Sequence, residues 1–123
     1  MFSGSVKESE LNVEKVILRG IAASTGQATG RVRLVQSSAD SPHFQDGEIL
    51  VTRLTNPTMI MMMAKAAAIV TDVGGLTSHP AIVSREMGTP CVVSTKTATT
   101  DLRDGMMVRV DGTKGEVYLV EEA

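Results

Sequence analysis

The glycine pair Gly74-Gly75 sits between an apolar run, Ala66-Ala-Ala-Ile-Val-Thr71, and a proline, Pro80, and this arrangement leaves the chain few options. The run before the glycines has the length of a strand. The glycines allow a sharp turn at φ values that other residues avoid. Pro80 suits the first helical position and biases the residue before it away from helical dihedrals, so the helix is predicted to begin there. A strand must therefore end and a helix begin within a few residues. His79 falls at or beside the N-cap, where unpaired N–H groups and the positive end of the helix dipole make a seat for an anion such as phosphate.

The remaining chain reads as short strands around this turn. Residues 1–15 are polar and mixed in charge and are expected to form a flexible N-terminal segment, with the domain spanning 16–123. Val16-Ile-Leu18 is a strand candidate, Ala22 to Gly26 reads as a turn, and Thr29 to Val35 alternates Val32 and Leu34 against Arg31 and Arg33. Gln36 to Asp46 is expected to be a loop with His43 at its surface. Glu48 to Thr52 is another strand, after which Asn56 can cap and Pro57 can start a helix running to about Lys65. That helix carries methionine at 59, 61, 62 and 63. Without His or Cys at helical spacing these are expected to pack on a sheet, with the remaining face against a partner, rather than to bind a metal.

Beyond the central segment, Gly88 is the expected helix C-cap and Pro90 a stop signal before a buried strand, Cys91-Val-Val93. Cys91 reads as an inert small hydrophobe. Thr95 to Thr100 is a polar connection, and Met106 to Val110 with Glu116 to Val120 form a hairpin across Asp111 to Gly115. A compact mixed α/β domain is predicted, in keeping with a length of 123 residues. The net charge of −2, the scattered Lys and Arg, and the presence of one Tyr, two Phe and no Trp argue against nucleic-acid binding. One cysteine permits no intrachain disulfide, and no signal peptide or membrane-spanning apolar run is read, so a cytoplasmic location is the default.

Gly74-Gly-Leu-Thr-Ser-His79, followed by Ala81-Ile-Val83, Arg85-Glu86, Gly88 and Pro90-Cys-Val-Val93, resembles the phosphohistidine segment of the enzymes that use phosphoenolpyruvate, such as phosphoenolpyruvate synthase and pyruvate phosphate dikinase. The likeness extends in order through Leu18 to Ser24, Gly30-Arg-Val32, Gly47 to Thr52, Thr55, Pro57, Asp104-Gly105 and Val110-Asp-Gly112, so it covers about Val16 to Val120. It implies a β/β/α swivelling domain whose histidine carries a phosphoryl group between two distant active sites. It also implies His79 as the phosphorylated residue, through Nε2, with Thr77 and Ser78 as its hydroxyl neighbours. Nucleotide would sit on an ATP-grasp-like partner domain and pyruvate or phosphoenolpyruvate on a barrel domain, each with Mg2+, so no cofactor or metal is expected on this chain and none of it should turn over alone. Pro80 departs from the pattern, since relatives commonly carry Ala or Gly there. It removes one N–H from the anion seat and leaves those of Ala81 and Ile82.

Phosphoryl transfer needs mainly a positioned nucleophile and charges or dipoles aimed at the phosphoryl oxygens. Residues two apart on an extended segment point the same way, so Thr77 is assigned to orienting the ring and Ser78 to looser support. Gly74 and Gly75 make the turn, and Arg85 is a candidate phosphate or partner contact as well as an ordinary solvated charge. The alternative to a phosphocarrier is a non-catalytic binding or regulatory module that uses the Met59 to Met63 face. A dinucleotide site is disfavoured because the glycines lack GxGxxG spacing.

Overall fold

A computed structural model describes residues 14–120. Eight strands are present in this span: β1 (Glu14–Arg19), β2 (Ile21–Ser24), β3 (Gln27–Leu34), β4 (Ile49–Thr52), β5 (Ala68–Thr71), β6 (Cys91–Val93), β7 (Met107–Asp111) and β8 (Glu116–Val120). Three short α-helices accompany them: α1 (Ile60–Lys65), α2 (His79–Met87) and α3 (Ala98–Asp101). The sheet order is β1-β8-β7-β3-β4-β5-β6-β2. β3 through β6 run parallel, and the other pairings are antiparallel.

Two places let this sheet double back into layers. β3 pairs with β7 over Gln27 to Arg31 and with β4 over Val32 to Leu34, so one strand serves both halves. At the other end Gly20 joins β1, which pairs with β8, to β2, which pairs with β6. A Cβ on Gly20 would stand 2.3 Å from the Val93 carbonyl oxygen, so only glycine permits that approach.

Alternation along the central strands feeds two cores. Ile49, Val51, Ala68, Val70 and Val92 meet Val108, Val110 and Val117 between the two sheet layers, with Ala98 and Leu102 closing one end. Leu50, Ile69, Cys91 and Val93 point the other way, onto Met59, Met62, Met63 and Ala81 of the helical layer. This is a β/β/α arrangement. It explains the uninterrupted apolar runs of β4, β5 and β6, since strands covered on both faces have no polar side. Each fully buried aliphatic side chain contributes about 1.5–3 kcal/mol.

Several expectations are corrected by non-local pairing. Ala22 to Ser24 are not turn residues but most of β2, held by β6. β1 begins at Glu14, so Glu14 and Lys15 belong to a strand, while residues 1–13 of the expected flexible segment lie outside the described residues. The Gln36 to Asp46 loop contains a 3-10 helix, Ser38–His43, started by a capping box between Ser37 and Asp40, with His43 exposed as expected. The polar connection at Thr95 to Thr100 includes α3, whose Ala98 and Leu102 flank reach the core. The methionine segment starts as a 3-10 turn, Pro57–Met59, capped by Asn56. It buries Met59, Met62 and Met63 against the sheet, as expected, and leaves Ile60 38% and Met61 67% exposed as its remaining face. Gly88 ends α2 at φ +71, and β7 and β8 form the expected hairpin.

Candidate functional site

The parallel ladder continues one step past β5, because Asp72 N–H donates to Thr52 O (3.2 Å) and Val73 N–H to Arg53 O (3.2 Å). The chain then turns at Gly74, where φ is +123 and a Cβ would fall 2.9 Å from Ser78 Oγ. Glycine is required there on both counts. Gly75 differs: its φ is not in the left-handed region and a Cβ would meet nothing within 4 Å, so only one of the pair does the work expected of both. The Gly75 carbonyl accepts from Ser78 N–H (3.1 Å) and from Ser78 Oγ–H (2.7 Å), which closes the turn.

Ser78 occupies the N-cap of α2 with extended dihedrals, yet its hydroxyl is committed to Gly75 and does not cap the helix. His79 is the first helical residue and Pro80 the second, one position later than the proline rule places it. The first turn of α2 has no acidic residue, so the positive end of its dipole is not neutralised locally. Of the first-turn amides, Pro80 has none and Ile82 N–H is taken by Ser78 O (3.0 Å), contrary to the expectation that it stays free. The N–H groups of His79 and Ala81 make no backbone hydrogen bond to a described residue, which is what an anion seat at a helix start requires.

The imidazole is half-buried, and its Nδ1 lies 2.7 Å from Thr55 Oγ1. Thr55 is 2% exposed and leads from β4 into the Asn56-capped turn, where Asn56 Oδ1 accepts from Thr58 N–H (2.9 Å). This pair was missed in the sequence. The assigned orienting hydroxyl, Thr77, is exposed and makes no hydrogen bond to the ring, because the turn at Gly74 to Ser78 is not the extended segment that the two-residue rule assumes. The one available signal was the threonine placed just before a helix-starting Asn-Pro, at the end of a strand that pairs with β5.

Arg85, the other candidate contact, spends its guanidinium on backbone carbonyls. Its guanidinium donates to Ala23 O (3.0 Å) and Leu76 O (2.6 Å), tying β2, α2 and the histidine loop together. Beneath α2, the Cys91 thiol faces the Pro80 carbonyl at 3.9 Å, and burial pushes its pKa up to about 11. Among the described residues no group of three or more His, Cys, Asp or Glu is placed to hold a metal ion, and no helix is long and apolar enough to cross a membrane.

The fold and site define a β/β/α domain that presents a single oriented histidine at the start of a helix, beyond the C-terminal end of a parallel strand. Residues 44–115 match the family described as PEP-utilising enzyme, mobile domain, and the chain belongs to that family. It is 54% identical over 109 residues to the phosphoenolpyruvate synthase of Pyrococcus furiosus, covering 89% of this chain and 13% of that protein. A probable phosphoenolpyruvate synthase of Archaeoglobus fulgidus is 52% identical over 114 residues, with 90% and 15% covered. Among solved structures, an Enzyme I protein determined in solution superposes with a TM-score of 0.53 at 33% identity, over 62% of this chain and 31% of that one. The chain thus spans a small fraction of the length of these relatives, in which the matching domain is accompanied by others.

Proposed function

We propose that this domain is a phosphocarrier, in which His79 accepts a phosphoryl group at one partner site and delivers it at another. The observation that carries the reading is the Thr55 Oγ1 to His79 Nδ1 hydrogen bond at an uncapped helix start. With Nδ1 protonated and donating to Thr55, the Nε2 lone pair is free to attack phosphorus. The Nε2–P bond forms as the P–O bond to the leaving group breaks, and its electron pair leaves with that oxygen. The Nδ1–H stays on Thr55 and holds the positive charge that develops on the ring. Amides at the start of α2 face the phosphoryl oxygens, as electrostatic stabilisation of such transfers requires.

The length of the relatives and the name phosphoenolpyruvate synthase support the rest of the reading. The partner sites are a nucleotide-binding, ATP-grasp-like domain and a barrel domain for pyruvate or phosphoenolpyruvate, both using Mg2+, and this chain supplies the carrier. The competing reading, a binding module working through the methionine face, has only the exposed Ile60 and Met61 of that segment for a surface, since Met59, Met62 and Met63 are buried.

The test is intact-mass analysis under alkaline conditions after mixing the chain with the nucleotide-binding and barrel portions of a relative, Mg2+, and ATP or phosphoenolpyruvate. An acid-labile phosphoryl adduct at His79, absent in His79→Ala, is expected. A folded chain that acquires no adduct from either donor, with partners shown to be active, overturns the proposal.

A further inference from the structure

A second feature lies where β3 and β4 end. A cavity of about 370 Å3 opens there, lined by Val35, Gln36, Thr52, Arg53, Leu54 and Thr99. Its size is that of a small-ligand pocket, and in sheets of parallel strands ligands sit at such C-terminal strand ends. Its polar lining comes from Gln36, Thr52, Thr99 and one cation, Arg53. The ion pairs among the described residues engage Arg19, Arg33 and Arg109, whereas the exposed Arg53 guanidinium has no acidic partner among them. Thr52 is 2% exposed and lines the cavity. The carboxylates bonded to wall residues are already engaged: Asp72 accepts from Thr99 N–H (2.9 Å) and from its hydroxyl, and Asp40 accepts from Gln36 N–H (2.7 Å) and Ser37 N–H (3.3 Å).

We propose that this cavity binds a small oxyanion carried on a short carbon skeleton, either a phosphate monoester or a carboxylate. Arg53 and the Thr52 hydroxyl take the oxyanion, as a guanidinium fork with a neighbouring donor does, and Val35 and Leu54 cover the skeleton. The site is distinct from the anion seat at α2 but linked to it. Thr52-Arg53-Leu54 leads directly to Thr55, the partner of His79, and Leu54 Cδ1 lies 3.5 Å from the position a Cβ on Gly74 would take. Occupancy is therefore sensed by both segments that hold the imidazole. The binding claim stands whether or not His79 carries phosphate.

The experiment is an amide NMR titration of the full 123-residue chain with glycerol 3-phosphate and, separately, pyruvate, against sodium chloride at matched ionic strength. Saturable shifts at Gln36, Thr52 to Thr55 and Thr99 with either compound are expected, and which of the two binds identifies the oxyanion. Arg53→Gln should weaken that binding by about tenfold or more, and Thr52→Val should weaken it with an otherwise unchanged spectrum. Shifts no different from chloride with both compounds, saturable shifts confined to the start of α2, or binding unchanged in Arg53→Gln would each overturn the proposal.

Discussion

Thr55 Oγ1 and His79 Nδ1 are 2.7 Å apart although 24 residues separate them, and the contact exists because β4 and β5 pair in parallel register. Thr52 pairs with Thr71, so the segments that leave these two strands emerge side by side. One delivers a buried hydroxyl and the other a histidine.

Thr55→Val keeps the shape of the side chain and removes the partner of Nδ1. Losing an intramolecular hydrogen bond of about 1–2 kcal/mol corresponds to a roughly 5–30-fold slower appearance of the phosphoryl adduct, with unchanged circular dichroism. Thr55→Ser should stay within a few-fold of the parent. A valine variant labelled at the parent rate would show that the ring is oriented by something else.

Gly74→Ala and Gly75→Ala separate the two glycines. The first places a Cβ 2.9 Å from Ser78 Oγ at φ +123 and should cost about 1–2 kcal/mol or more, seen as a drop of several degrees in Tm. The second meets nothing and should fall within about 0.5 kcal/mol of the parent. Equal losses in thermal melts would contradict the geometry of the turn.

Arg85→Met removes both bonds of the clamp between Ala23 O and Leu76 O. Stability should fall by about 1–2 kcal/mol, and hydrogen exchange at Ser78 N–H should accelerate as the loop loosens. Arg85→Lys should restore the loss only in part, since an ammonium cannot span two carbonyls as a planar fork does. Slower labelling in this variant with unaltered exchange would instead assign Arg85 a direct contact with the phosphoryl group.

Cys91 is held at about 11, above the ordinary value of about 9, because burial disfavours the thiolate. A raised folded-state value means stability is complete below about pH 9 and is lost as pH rises through about 11, by up to about 3 kcal/mol. Urea titrations across that window should show a steeper loss in the parent than in Cys91→Ala, which keeps the contribution of Tyr118, raised by its hydrogen bond to Glu116. Iodoacetamide at pH 8 should leave the folded chain unmodified.

Some of this was legible in the chain because it is written in neighbouring residues. The turn from β5 into α2 follows from Gly74 and Pro80, the end of α2 from Gly88, the start of the methionine segment from Asn56-Pro57, and the β7–β8 hairpin from the residues between its strands. Each is a constraint on local dihedrals, which a few side chains impose wherever they occur.

Other elements depend on pairing across the fold. Ala22 to Ser24 look like a turn and become a strand only because β6 lies alongside, 67 to 70 residues away. Arg85 looks like a solvated charge until β2 and Leu76 bring carbonyls to it. The sequence by itself determined that a histidine would stand at the start of a helix beyond a strand, because backbone sterics and the helix dipole act over a few residues. Only the tertiary structure decided that Thr55 rather than Thr77 would hold the ring, because hydrogen bonds form between groups that are close in space, and the parallel ladder sets which groups those are.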